Sequence, residues 1–592
     1  MCGIIGYCGR QLAAPIVIEG LKNLEYRGYD SAGVAILSGS RLMIRKDVGT
    51  IEAVDTKYKL NSLSGRTAIG HTRWATHGSV TSANAHPHSD EEKKIAVAHN
   101  GVIDNYEQLR NELISKGHHF SSETDTEVIP HLLRDELKNG SPTLEKAVIN
   151  VARKLEGSYA FVALSLDDPD KIVGTRMNNP LIIGIGEDGF YLSSDTLAFS
   201  KYTSKMVILG DAEVVAITMD KARFFDANGD SIPKDTHEVN KTWTDNHKNG
   251  YPYFMLKEIM EEPEVLRNTV QQDEKKFNAI ALDILRAKQV IITACGTSRY
   301  ASLVGRYLFS RVGRKFSDVV IASEFSYFAD SVDKSTLVIA VSQSGETADV
   351  IEGVKIARVA GGNILSIVNR PDSILESLSH QTISLNCGYE IGVAATKSFL
   401  SQITAFYLLS FAMVNEYNKS RDRILSVADK IAEVRDLNQK KIMNLAQRFK
   451  DSSDFYYIAR GINFAVASEA ALKLKEISYI HAEGMPAGEL KHGTLALIDK
   501  GTPVVAICPD DDTYDATINN AMEAKSRGAY IIGVSDRKST IYDFWIKIPK
   551  VDKLLYPMVT IVPLQLLAYH MAIARGYNPD KPRNLAKSVT VK

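Results

Sequence analysis

The sequence predicts a multidomain α/β protein, with a leading domain of stacked sheets and helices followed by two copies of a parallel sheet covered by helices. Three observations predict it. The first 220 or so residues alternate short strands with helical stretches, and a polar stretch at 226–250 then interrupts the chain. Beyond it a strand–turn–helix order appears three times and returns about 165 residues later. The 592 residues suffice for roughly three to five domains at about 150 residues each.

In the leading part, residues 14–24 carry apolar side chains at helical spacing. Residues 105–116 open polar and then carry Leu109, Leu113 and Ile114, which reads as a second helical stretch. Segments 95–99, 159–164 and 181–185 read as strands. The stretch 226–250, with Asn228-Gly229-Asp230, Pro233-Lys234-Asp235 and Asn249-Gly250, reads as the linker. After it, buried-strand runs at 290–294, 337–341 and 364–368 end at Cys295-Gly296-Thr297-Ser298, Ser342-Gln343-Ser344-Gly345-Glu346-Thr347 and Asn369-Arg370-Pro371-Asp372. The second set, at 456–459, 504–507 and 530–534, ends at Arg460-Gly461, Cys508-Pro509-Asp510 and Ser535-Asp536-Arg537. Matching gaps at three places indicate a duplication, with boundaries at 2–225, 226–250, 251–425, 426–575 and a tail at 576–592. The apolar stretch 554–574 contains Pro557, Pro563, Gln565 and His570 and reads as a buried strand followed by a core helix rather than a membrane span.

Composition excludes several classes of function. The net charge is −1, and no Lys/Arg-rich stretch offers the surface a nucleic-acid binder needs. The five cysteines are scattered without CxxC or Cys/His ligand spacing, which argues against a disulfide framework or a zinc site and fits a reducing cytoplasm. The amino end has no basic segment leading into an apolar one, so no signal peptide is expected.

Chemistry is suggested first by Cys2. Removal of Met1 would put a thiol and a free α-amine on one residue, a nucleophile with its own base. A free thiol titrates at about 8.5 and an α-amine at about 7.7 to 8, so near neutrality the amine can accept the thiol proton. In the later domains, the Ser342–Thr347 turn offers three hydroxyls, a flexible Gly345 and the first N–H groups of a helix beginning near Ala348. That combination suits a phosphate, and with Thr297 and Ser298 on a neighbouring strand end it suits a sugar phosphate. Lys473 and Glu476 stand three apart, as a solvated salt-bridge pair would, and His492 by itself reads as structural.

Longer motifs then carry a resemblance. Cys2-Gly3-Ile4-Ile5-Gly6, Glu25 to Gly33, His71 to Gly78, Asn84 to His88, His99-Asn100-Gly101 and Ser122 to Glu127 together resemble class II, N-terminal-nucleophile glutamine amidotransferases. Cys295 to Ser298, Ser342 to Thr347, Gly461, Gly488 to Gly493 and the tail Pro582 to Val589 resemble the paired sugar isomerase (SIS) domains of the glucosamine-6-phosphate synthase family. The resemblance spans essentially the whole chain in one order. It implies an αββα sandwich followed by two tandem doubly wound parallel α/β domains. The implied activity is conversion of fructose 6-phosphate and glutamine to glucosamine 6-phosphate and glutamate, the entry to amino-sugar biosynthesis, without metal or organic cofactor.

By the same resemblance, Cys2 attacks the glutamine amide, and Asn100 and Gly101 stabilise the oxyanion. Arg73 and Asp125 grip the amino acid, and Trp74 gates an ammonia passage that keeps ammonia from being protonated in water. Thr76, His77 and His86 complete the glutaminase site. Thr297, Ser298, Ser342, Gln343, Ser344, Thr347, Val393, Lys473 and Ala586 contact the sugar phosphate. Lys587 forms a Schiff base with the ketone, Glu476 moves the proton between C1 and C2, and His492 opens the ring from a neighbouring subunit, which implies a homodimer. One departure is visible: Ala395 stands where the family usually has Ser, which affects one sugar contact. Two other readings are a sugar-phosphate-binding regulator, which would have no use for Cys2, Asn100 and Asp125, and an amidotransferase acting on phosphoribosyl pyrophosphate, which would need a different C-terminal half.

Overall fold

The computed structural model describes residues 2–238 and 248–590. The chain divides into two units, Met1–Asn246 with Ala586–Lys592, and His247–Leu585.

The first unit contains two antiparallel sheets. In the eight-stranded sheet, Gly3–Gly9 lies between Gly189–Ser193 and Thr67–Arg73, followed outward on that side by Ser31–Ser38 and Arg41–Val48. In the six-stranded sheet, Ile95–Ile103 pairs with Gly157–Ser165, and that strand pairs with Asp168–Met177. The period-two alternation of a strand decides the layering. Ile4 and Cys8 join Ala98, Val162 and Leu192 in a core between the sheets, whereas Ile5 and Tyr7 point the other way, onto Val17 and Leu21 of the helix Ala13–Leu24. The outer face of the second sheet is covered by Tyr106–Ser115, Val128–Lys138 and Leu144–Ala152. The layers therefore run helix, sheet, sheet, helix, as expected.

In the second unit the strand order of the two parallel sheets is the same. The first runs Asp318–Ile321, Gln289–Ala294, Thr336–Ser342, Asn363–Val368, Gln381–Ser384, and the second runs His481–Pro486, Asp454–Ala459, Pro503–Ile507, Tyr530–Ser535, Phe544–Lys547. In both, the second strand of the chain lies outside the first, the order 2-1-3-4-5 of doubly wound folds. Duplicated topology is the strongest structural expression of the repeat seen in the sequence.

Three expectations are revised. Residues 554–574 contain no strand: Tyr556–Ala574 is a single helix, which passes the length and apolarity test for a membrane span but is buried among the other elements of its unit. Its Pro557 falls in the first turn, where the missing N–H costs nothing. Part of the polar stretch 226–250 is structured, because Phe225 bridges to Ser231 and His237–Glu238 pairs with Lys205–Met206 at the edge of the eight-stranded sheet; residues 239–247 lie outside the described residues. The division at 425/426 falls inside one helix, Tyr417–Phe449, whose apolar stripe of Ile424, Val427, Ile431, Val434, Ile442 and Leu445 is continuous across it.

Candidate active sites

Cys2 stands at the head of Gly3–Gly9 in the interior of its sheet. The Trp74 amide donates to its sulfur at 3.3 Å, and the thiol is 3.5 Å from the Trp74 carbonyl. Gly28 permits the backbone approach beside it, since a Cβ there would lie 2.6 Å from the Trp74 nitrogen. The Cys2 carbonyl accepts from Arg27 Nε at 3.0 Å and from Asn100 Nδ2 at 3.0 Å. Arg27 is fully buried and paired with Asp195 at 3.4 Å, so its charge is met inside the fold.

The orientation of Asn100 is set by His71, a residue with no role assigned from the sequence. His71 Nε2 lies 2.9 Å from the His99 carbonyl and 3.1 Å from Asn100 Oδ1. Burial pushes the His71 imidazole down to about 3, so the ring is neutral and has one N–H. Facing an acceptor carbonyl, Nε2 must carry it, and Asn100 Oδ1 is the second acceptor. The amide NH2 is thereby turned toward Cys2. His71 stacks on His86 at 4.1 Å between centroids, His86 meets His88 edge-on at 4.7 Å, and burial holds His86, His88 and His99 below the ordinary imidazole range. Thr126 Oγ1 joins His99 Nδ1 at 2.8 Å and His86 Nε2 at 3.4 Å. These histidines form a neutral brace behind the site. His71, His86 and His99 stood in quoted motifs, but only their neighbours in space reveal the brace.

Arg73 is buried, with its guanidinium donating to the carbonyls of His77, Gly78 at 3.3 Å and Ser79 at 3.4 Å. Burial holds its pKa below the usual arginine value, partly countered by Cys2, Asp125 and Asp30. Asp125 is also buried, accepting from the Ile103 amide at 2.9 Å, on the strand that carries Asn100 and Gly101. Gly101 has φ +117°, and a Cβ there would meet the Ser158 carbonyl oxygen at 1.9 Å, so no other residue fits. Thr76 is exposed on the loop after Arg73, and the His77 ring packs edge-on to Tyr106 at 5.7 Å. Cys2, Trp74 and Asn100 thus make direct contacts, with Arg73 and Asp125 in electrostatic range.

In the second unit, Gln289–Ala294 and Thr336–Ser342 are adjacent parallel strands, so the turns after them open at the same sheet edge. In the second turn, Ser342 Oγ lies 2.9 Å from Thr347 Oγ1 and accepts from the Gly345 amide at 3.1 Å. The Glu346 amide donates to Ser344 Oγ at 3.2 Å, and the helix Ala348–Val359 begins directly after. Gly345 has φ +65°, where a Cβ would lie 2.2 Å from Ser373 Oγ. The Gln343 carbonyl accepts from the amides of Asn369 and Arg370. Ser298 Oγ accepts from Gln402 Nε2 at 2.8 Å.

The Lys473–Glu476 pair is not a solvated face. Lys473 is 1% exposed, and its ammonium lies 2.6 Å from Glu476, 3.5 Å from Glu469 and 2.9 Å from Thr297 Oγ1. Thr297 in turn donates to Glu469 Oε1 at 3.0 Å. The helix Asn463–Ser478 of the second copy therefore delivers its charges onto a turn of the first. Burial pushes Glu469 up to about 8, whereas Lys473, although burial opposes its charge, is held up to about 12 by Glu469 and Glu476. The sequence reading missed Glu469. Its signal was spacing, since Glu469, Lys473 and Glu476 occupy one helix face at i, i+4 and i+7.

Other predicted residues are placed differently. Val393 is buried, with its amide 3.4 Å from the Asp580 carbonyl, and Glu390 braces the loop around Ala395 by accepting from the Thr396 and Ser398 amides. His492 is exposed on the segment Ala487–His492 and does not join the Lys473 cluster. Ala586 and Lys587 belong to the tail segment that groups with the first unit.

A cysteine-headed sheet sandwich followed by a duplicated 2-1-3-4-5 domain is the architecture of a glutamine amidotransferase domain carried in one chain with paired SIS domains. Comparisons agree. Residues 71–201 match the glutamine amidotransferase domain family, and 283–412 and 448–575 match the SIS domain family. Over the full length of both chains, the protein is 46% identical to the glutamine–fructose-6-phosphate aminotransferase (isomerizing) of Thermococcus kodakarensis and 44% identical to that of Pyrococcus horikoshii. The C-terminal domain of glucosamine-fructose-6-phosphate aminotransferase from Francisella tularensis superposes with TM-score 0.52 at 34% identity, covering 57% of this chain and all of that one. The chain belongs to the isomerizing glutamine–fructose-6-phosphate aminotransferase family.

Proposed function

We propose that this chain releases ammonia from glutamine at Cys2 and uses it to convert fructose 6-phosphate to glucosamine 6-phosphate. The observation that carries the reading is the convergence of the Trp74 amide on the Cys2 sulfur and of Asn100 Nδ2 on the Cys2 carbonyl. With Met1 removed, the α-amine takes the thiol proton and the thiolate attacks the amide carbon. Asn100 Nδ2 and the Gly101 amide stabilise the oxyanion, ammonia leaves, and water hydrolyses the thioester to glutamate. Arg73 and Asp125 hold the glutamine carboxylate and amino group.

At the sugar site, the Ser342–Thr347 turn and the helix behind it take the phosphate, while Thr297, Ser298 and Val393 take the sugar. Lys587 condenses with the C2 ketone, expelling water, and ammonia displaces the lysine to leave an imine at C2. Glu476 takes a proton from C1 and returns it to C2, giving the 2-amino aldose. The water used in the thioester hydrolysis balances the one released at C2. Trp74 guards the passage of ammonia. The exposure of His492, away from Lys473, supports its service to a neighbouring subunit, and hence a homodimer. A cytoplasmic setting fits five free cysteines.

The experiment is product analysis with glutamine and fructose 6-phosphate supplied together and separately, on the wild type and on Cys2→Ala. Glucosamine 6-phosphate should form only with both substrates. Cys2→Ala should lose glutamine hydrolysis and keep fructose 6-phosphate binding; equal loss of both would refute separate sites.

A further inference from the structure

Behind the Asp125–Glu127 turn, the first unit brings together groups that the glutaminase reaction does not use. His118 Nδ1 and His131 Nδ1 face each other at 3.0 Å, and a Glu91 carboxylate oxygen lies 3.5 Å from His118 Nδ1. All three ligand atoms fall within 4.8 Å of one another. His118 Nε2 is 3.0 Å from Asp135 Oδ1, and His131 Nε2 is 4.0 Å from Glu127 Oε1. His131 is 1% exposed, closed over by Phe120 at 4.6 Å between ring centroids. The charged groups around the pair are Glu91, Glu127, Asp135 and Lys116, the last 3.6 Å from Asp135.

Tautomers expose a defect in this arrangement. Asp135 only accepts, so His118 carries its proton on Nε2 and turns a bare lone pair on Nδ1 toward His131. If His131 donates from Nδ1, its buried Nε2, which has no hydrogen-bond partner, turns a lone pair toward the Glu127 carboxylate. If His131 instead carries its proton on Nε2, two lone pairs oppose each other at 3.0 Å. A second proton on His131 or a metal cation between the nitrogens removes the conflict, and the metal leaves each histidine's outer N–H directed at a carboxylate, the usual arrangement behind metal-bound imidazole.

We propose that Glu91, His118 and His131 form a binding site for a divalent cation of the zinc type. Tetrahedral ligands on bonds of about 2.0 to 2.1 Å lie roughly 3.3 Å apart; the two separations from His118 Nδ1, 3.0 and 3.5 Å, bracket that value, and the third, between Glu91 and His131, is within 4.8 Å. Two imidazoles and one carboxylate favour zinc, nickel or copper over magnesium or calcium. Glu91 and His118 lie at the accessible edge, so the ion exchanges with solvent and keeps one position open.

Cys2, with a free amine, is itself a zinc chelator, so the test uses the full-length Cys2→Ala chain stripped with chelator. Titration calorimetry with zinc should give one ion per chain. Cobalt should give the visible absorption of a tetrahedral site without an intense sulfur-to-cobalt charge-transfer band. Asp135→Asn should weaken zinc roughly 10- to 100-fold, as loss of an outer partner does, and His131→Gln should weaken it further. Glu91→Gln, at an exposed position, should also weaken binding and serves if His131→Gln does not fold. The proposal is overturned if Cys2→Ala binds no zinc, if a proton alone bridges the histidines and zinc leaves the backbone and ring signals unmoved, if binding survives His131→Gln, or if magnesium binds as well as zinc.

Discussion

Glu469→Gln isolates one buried carboxyl. Burial raises Glu469 from an unfolded value near 4.5 to about 8, so the folded protein keeps the proton through the neutral range. Below about 4.5 both states hold it and its contribution is complete. As pH rises, the unfolded chain ionises and the folded one does not, so stability falls until about 8. The slope is about 1.4 kcal/mol per pH unit, on the order of 3 kcal/mol between pH 5 and 7. At roughly 2 °C per kcal/mol for a large domain, the melting temperature of the second unit should drop about 6 °C over that range. In Glu469→Gln this part of the drop should vanish, because glutamine keeps an acceptor for Thr297 and has no proton to lose. Glu262, also raised by burial to about 8, gives a slope of the same sign, and the buried histidines give the opposite one. Both cancel in the difference between wild type and variant. The assay is differential scanning calorimetry of both proteins from pH 5 to 7. Parallel curves would show that Glu469 is ionised and that Lys473 neutralises both carboxylates.

Other expectations concern single groups. Lys473→Met should cost about 1 to 3 kcal/mol, because it removes the buried cation that Glu476, 21% exposed, and Thr297 bond to, and should destabilise the second unit in the same calorimetric scan. Gly101→Ala should cost at least roughly 1 to 3 kcal/mol from backbone strain alone and should abolish glutaminase activity, since the strand must shift from Ser158; a variant with normal kcat would remove Gly101 from the site. Borohydride added with fructose 6-phosphate should label Lys587 in a peptide map, and a label on another lysine would reassign the Schiff base. Trp74→Ala should keep hydrolysing glutamine while losing ammonia to solvent, read as a ratio of glutamate to glucosamine 6-phosphate above one.

The local pattern of this chain determined much of its architecture. Apolar runs punctuated by Gly and hydroxyl residues marked the parallel strands, and their recurrence marked the duplication, because a buried strand and its following turn are short-range features. The motif around Cys2 likewise announced a nucleophile before any folding. Tertiary structure alone decided which side chains meet and in what state of charge. Whether Lys473 and Glu476 are solvated or buried depends on the turn at Thr297, which is distant in sequence, and the burial that raises Glu469 is a property of packing. The amide orientation of Asn100 depends on His71, from another strand. Glu91, His118 and His131 follow no ligand spacing, and they meet because the loop that carries His118 lies against His131 of Val128–Lys138 and its His119 amide donates to Glu91, on the turn before Ile95–Ile103. Periodicity is written in neighbouring residues, whereas dielectric surroundings and convergent lone pairs exist only once remote segments are packed together.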